Sequence, residues 1–293
     1  MTASGTTEVT GRVPATGRGP ATISRRPASA RPQGWLSWGI TWAVLGGLVV
    51  LPLAAIAIKA SGAGVSGIVA SVTTPIALAA LALSFGGALL SAALNTVMGT
   101  VVAWALARYE FVGKSVANAL VDLPFALPTA VAGITLSMLL SPKGWIGALN
   151  PALALAYKPA GVLIAMTFVS VPFAIRAVQP VLQELEADVE EAAALLGARP
   201  AQVFWSVIFP AIRPAMLTGL ALSFARSVGE FGSVVIISGN IPLRTLTGPV
   251  LIFQRLEEYN TVGATGIAVV MLIASLITLV AINLLQSRAH DHG

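Results

Sequence analysis

A chain of 293 residues that is 56% hydrophobic and only 10% charged is not composed like a water-soluble domain, where about a quarter of residues carry charge. The absence of cysteine excludes disulfides and thiolate metal sites. The net charge of +5 sits in tails and loops around apolar segments, which argues against nucleic acid as a partner.

Residues 1–34 are rich in Pro, Gly, Ser, Thr and Arg without hydrophobic periodicity, and predict a disordered basic tail. Arg12, Arg18, Arg25, Arg26 and Arg31 face a single acid there, Glu8. Arg25-Arg26 invites a twin-arginine reading, but the apolar run after it is too long for a signal core. Six segments, at 39–58, 84–107, 116–140, 161–182, 214–237 and 263–286, are long enough to span a bilayer, which needs about 20 apolar residues. The chain thus reads as all-α, with a transmembrane domain over 35–288 and a tail at 289–293. Trp35, Trp38 and Trp42 mark the first interface. The small apolar residues 65–83 are expected to lie along the outer surface as a short helix. His290 and His292 stand in the polar C-terminal region, where no metal role is expected.

Orientation follows from the positive charges. With the N-terminus inside, the cytosolic parts hold the five tail arginines plus Arg108, Lys114, Arg199, Arg213 and Arg288. The outer parts hold only Lys59, Lys143, Lys158, Arg244 and Arg255. Both termini are therefore expected in the cytosol. The second span carries Gly86, Gly87, Ser91, Ala92, Ala93 and Gly99, small residues that let membrane helices approach closely; Asn95 among them reads as interhelical glue. Gly113-Lys114-Ser115 looks like the end of a phosphate loop, but a Walker A motif needs glycine where Arg108 stands, and a preceding strand. Any ATP chemistry would then have to come from a partner, and the chain reads as no enzyme. Pro124 and Pro128 in the third span, and Pro172 and Pro180 in the fourth, predict kinks or hinges.

Between the fourth and fifth spans lies a polar island, 183–213, with five of the chain's acids: Glu184, Glu186, Asp188, Glu190 and Glu191. Acids at the front, Gly197 at the end and Pro200 just beyond predict two short helices bent at Gly197, the second closed or kinked by Pro210. Leu195, Leu196, Phe204, Trp205 and Phe209 are too apolar for a loop that touches only water.

Charges inside spans are few, and such groups usually pair or face a cavity. Asp122 and Arg176 fall at similar depths near the cytosolic side, which predicts an ion pair between the third and fourth spans. Arg226 and Glu230 lie near mid-membrane, four residues apart on one face. Three roles are open to them: anion contact by Arg226, proton carriage by Glu230, or mutual neutralisation beside the pathway. Neutralisation is preferred, because an arginine masked by Glu230 four residues on is close to neutral.

Glu191-Ala192-Ala193, three residues, Gly197, nine residues and a hydrophobic pair ending in Pro210 resemble the EAA loop of ABC importer permeases. Val207 and Phe209 stand where Ile and Leu are usual. The resemblance implies that Glu190, Glu191, Ala192, Ala193, Gly197, Phe204 and Pro210 belong to a cytosolic coupling helix that docks into an ATPase subunit. Four further stretches are similar to sulfate/thiosulfate permeases, and to their T-type subunit above the W-type sister: 124–133, 171–182, 224–232 (F-A-R-S-V-G-E-F-G) and 238–245 (S-G-N-I-P-L-R-T). The likeness implies a heterodimer with a W-type permease, two cytosolic ATPases that bind the ATP, and an extracytoplasmic sulfate-binding protein. The cofactor set of the chain itself is then empty. A molybdate or tungstate permease is the nearer alternative, since it shares G-E-F-G and the loop. An ion-coupled secondary transporter, with Asp122 or Glu230 carrying a proton, would have no use for the loop and would need a second repeat.

Overall fold

The computed structural model describes residues 34–185, 190, 192, 193 and 195–290. The tails 1–33 and 291–293, together with Glu186, Asp188 and Glu191, lie outside the described residues, and so do the expectations placed on them. The protein is all-α, and no strand occurs among the described residues. Five helices there are long and apolar enough to cross a membrane, six if one sharply bent pair counts as a span.

The chain divides into two units, at Leu51 and Pro52. Within the first, α1 (Gly34–Leu45) is followed by a π-turn, Gly46–Val50. Trp38 and Trp42 are exposed, as an aromatic anchor at a lipid interface requires.

α2 (Leu51–Val72) belongs to the second unit from Pro52 onward and is broken at Gly64 (φ +67°), a conformation costly for residues with a Cβ. Beyond this break residues 65–72 form a short helical piece of their own, so the expected short helix covers the first part of 65–83, and α3 (Pro75–Arg108) takes up the remainder. The cause is local. Thr74 caps α3, its hydroxyl accepting the Ala77 N–H at 3.2 Å, and Pro75 pre-sets the first turn.

The third span is broken. Leu127 precedes Pro128 and is forced into an extended conformation (ψ 130°). The chain therefore turns by 109° between α4 (Lys114–Ala126) and α5 (Thr129–Leu140). Pro172 and Pro180 do not break the fourth span, α6 (Pro159–Glu184).

The second island helix does not close at Pro210. It runs through a π-turn at Phe204–Ile208 into the fifth span, as one helix α7 (Pro200–Val228). The π-turn shifts the hydrogen-bond ladder just ahead of the proline, which has no N–H to place in it. The fifth span is also shorter than expected: α7 stops at Val228, and a separate helix, α8 (Gly232–Ile237), carries the remainder. Beyond it come α9 (Gly248–Glu257), which no apolar run announced, and α10 (Thr261–His290).

Small residues set the packing of α3, α6 and α7. A Cβ on Gly99 would lie 2.9 Å from the Ala174 Cβ, and one on Gly219 would lie 3.1 Å from the Ala174 Cα. Three backbones thus converge on one alanine. Asn95 ties α3 to α6, donating to Ser170 Oγ at 2.7 Å and to the Thr167 carbonyl at 3.1 Å. A second close approach joins the two half-helices: a Cβ on Gly133 would sit 2.6 Å from the Ser233 carbonyl oxygen. Only glycine allows α5 and α8 to touch there.

Candidate functional site

Three places gather the residues singled out by the sequence: an elbow before α7, a tie between α4 and α6, and the break between α7 and α8.

The elbow is built on Gly197. Its φ of +85° is the left-handed conformation that ends a helix. The Ala198 N–H donates back to the Ala193 carbonyl at 3.1 Å, closing the terminal loop of a Schellman motif. A Cβ at Gly197 would meet nothing within 4 Å, so conformation and not space calls for glycine. Pro200 starts the next helix, and the Gln202 side chain accepts the Arg199 N–H at 2.8 Å. Val203, Ile208 and Ile212 are buried against Leu106 of α3 and Ile175 and Leu182 of α6. Phe204 meets the edge of Trp104 at 5.9 Å. The other face is bare: Leu195 is 89% exposed, Leu196 90% and Trp205 63%. Ala192 is exposed and Ala193 half-buried. Pro210 helps line a cavity of about 760 Å³ with Ser206, Pro214 and Thr218.

Glu190 does not face outward with these residues. It pairs with Arg108, the last residue of α3, whose guanidinium lies 5.9 Å from the Trp104 ring centroid. Arg108, Trp104 and Phe204 thereby brace the elbow against α3. The acidic run carries no sign of which acid turns inward; Arg108, a cation closing a helix, is the available clue.

Asp122 of α4 and Arg176 of α6 meet in a two-pronged ion pair. Arg176 Nε donates to Asp122 Oδ1 at 2.9 Å, and Nη2 donates to Oδ2 at 2.7 Å. Arg176 also donates to Gln179 Oε1 at 2.6 Å and to the Asn118 carbonyl at 3.1 Å. Asn118 and Gln179, not anticipated from the sequence, complete the network. Forked geometry adds specificity to such pairs. We expect Asp122→Asn and Arg176→Gln to be non-additive by ~1 kcal/mol in thermal unfolding of the purified protein. Strictly additive losses would show that the pair contributes nothing as a pair. Arg176→Gln should be the more harmful single change, because it also abandons Asn118 and Gln179.

Arg226 and Glu230 are joined as well, but not on one helix. Arg226 lies in the last turn of α7 and Glu230 in the break after it. Arg226 Nη1 lies 2.6 Å from Glu230 Oε2. The other oxygen, Oε1, accepts the Ser233 N–H at 2.8 Å and the Ser233 hydroxyl at 2.9 Å. Glu230 is only 2% exposed, whereas the Arg226 side chain is 30% exposed. One buried carboxylate thus neutralises the end of α7 and satisfies the start of α8. Gly232 makes room for this: a Cβ there would lie 2.1 Å from Thr129 Oγ1. The breaks after α4 and after α7 therefore meet. Among the described residues no cluster of His, Asp or Glu could hold a metal ion.

Residues 96–291 match the family described as binding-protein-dependent transport system inner membrane component. A protein of Nephroselmis olivacea named "Probable sulfate transport system permease protein cysT" is 49% identical over 253 residues, covering 86% of this chain and 89% of that one. The "Sulfate transport system permease protein CysT" of Synechocystis is 50% identical over 258 residues, covering 86% and 90%. Among solved structures, a bacterial ABC transporter involved in the import of the acidic polysaccharide alginate superposes with a TM-score of 0.72. It is 15% identical and covers 87% of this chain and 96% of that chain. This last likeness is one of fold.

Proposed function

Because this chain belongs to the binding-protein-dependent transport system inner membrane components, the ABC importer permeases, and within them to the sulfate permease group, we propose that it forms half of an ATP-driven pathway importing sulfate and thiosulfate. Its counterpart is a W-type permease, its motors are two cytosolic ATPases, and an extracytoplasmic binding protein delivers the anion. The chain is a multi-pass membrane protein; the excess of cations on the elbow side supports a cytosolic position for the elbow and both termini.

The observation that carries this reading is the bare apolar face of the elbow. Leu195, Leu196 and Trp205 are exposed on a segment whose opposite face is locked into α3 and α6. Exposed apolar patches of this kind mark contact surfaces. A groove on an ATPase would cover them, and Gly197 sets the angle at which they enter. Glu191 is proposed to meet cationic residues of that groove, while Glu190, held by Arg108, fixes the elbow to the permease. Asp122 with Arg176, and Arg226 with Glu230, are proposed to tie helices beside the path without exposing net charge to the passing anion.

Affinity purification of the tagged chain from its native membrane tests this. An ATPase and a second permease subunit should copurify, and labelled sulfate uptake should resist excess molybdate. Purification of the chain alone would contradict the assembly; full competition by molybdate would make it a molybdate or tungstate permease.

A further inference from the structure

The end of the molecule remote from the elbow carries a cleft of about 660 Å³, lined by Tyr157, Lys158, Pro159, Leu243, Arg244 and Thr245. It sits at the start of α6, whose other end reaches the elbow about 39 Å away at 1.5 Å per residue. Lys158 and Arg244 are both exposed, and among the described residues neither has a carboxylate within ion-pairing distance. The stretches around them hold only two acids, Glu257 and Glu258, and Arg255 occupies Glu258 at 2.7 Å. Two unmatched cations on one cleft give a local positive field that water screens only in part.

The backbones bearing these cations are pinned. The Lys158 carbonyl accepts the Gly161 and Val162 N–H groups that open α6. Arg244 is followed by buried Thr245, whose hydroxyl donates to the Ser238 carbonyl at 2.7 Å and accepts the Ile241 N–H at 3.0 Å. The Tyr157 N–H donates to the Ile237 carbonyl at 2.8 Å, which binds the two loops together. Tyr157 and Leu243 both hold φ of +63°, a conformation that persists only where surroundings enforce it. Ile237 ends α8, whose other end is set by Glu230. The cleft and the Arg226–Glu230 break are thus separated by one six-residue helix, about 9 Å long.

We propose that Lys158 and Arg244 form a landing site for a tetrahedral oxyanion dianion at the mouth opposite the elbow. A guanidinium and an ammonium suit such an anion, the first as a fork and the second as a point charge. The cleft has room for the anion with part of its water, which makes the site a weak holding point and keeps onward release fast. The identity of the anion as sulfate rests on the importer reading above; the existence of the site does not.

Amine acylation of Lys158, followed by mass spectrometry on the purified full-length protein, tests the site directly. At constant ionic strength, sulfate in place of chloride should slow acylation of Lys158 about fivefold, the scale of two exposed charge contacts. Lys143, exposed on the loop after α5, serves as the internal control and should not change. Arg244→Gln should remove the protection and Arg244→Lys should restore part of it, with thermal unfolding of each variant reporting an intact fold. Equal protection by chloride, or protection that survives Arg244→Gln, would overturn the proposal. So would protection that requires an anion-free binding protein, which would make the cleft a protein contact. A wild-type complex that fails to import sulfate yet shows protection would count against the transport reading alone.

Discussion

Arg226→Gln should destabilise the protein by about 3 kcal/mol, because it strands a carboxylate that is only 2% exposed beside an apolar helix junction. Glu230 would keep its bonds to Ser233 but lose the only cation that neutralises it among the described residues. Glu230→Gln should cost less, since Arg226 is part-exposed and can recruit water, and glutamine can still accept from Ser233. The double variant should be less harmed than Arg226→Gln alone. Thermal unfolding of the three purified variants measures this order. The reverse order, or an unharmed Arg226→Gln protein that assembles yet imports sulfate slowly, would make Arg226 an anion contact and not a structural partner.

The second large effect is expected at the elbow. Gly197→Val should abolish uptake while leaving the protein in the membrane at its normal level. A Cβ at this position meets nothing within 4 Å, so the effect does not come from a clash at the Cβ. The φ of +85° is instead strained for a β-branched residue, by ~1–3 kcal/mol, and the chain relaxes by re-aiming Leu195 and Leu196. Gly197→Asn should retain much of the activity, because asparagine tolerates the left-handed region. Quantifying membrane levels and labelled uptake side by side is the check. Normal uptake by the valine variant would remove the coupling role from this bend.

Much of this is legible in the sequence because it depends on local chemistry. Apolar length marks the spans, glycine after an alanine-rich helix marks the bend, and scarcity of charge matches Asp122 with Arg176. What escapes depends on partners far along the chain. Pro128 signals a kink, but its 109° turn relies on Gly133 fitting against Ser233, a hundred residues later. Pro210 reads as a stop or a kink, whereas a π-turn and the burial of Ile208 and Ile212 carry the helix through it. Glu190 stands in a run of acids that reads as outward-facing, yet Arg108, 82 residues earlier, turns it inward. The ten-residue α9 is too short to register as a span, and its first N–H is satisfied by Ser84 of α3, at 2.8 Å.

The most direct test of the account is labelled sulfate uptake by proteoliposomes holding the complete complex. ATP is enclosed on the elbow side and the loaded binding protein is supplied on the other. Uptake should require hydrolysable ATP, disappear with Gly197→Val and ignore an imposed proton gradient. Uptake driven by that gradient without ATP would contradict the account and make the chain an ion-coupled carrier.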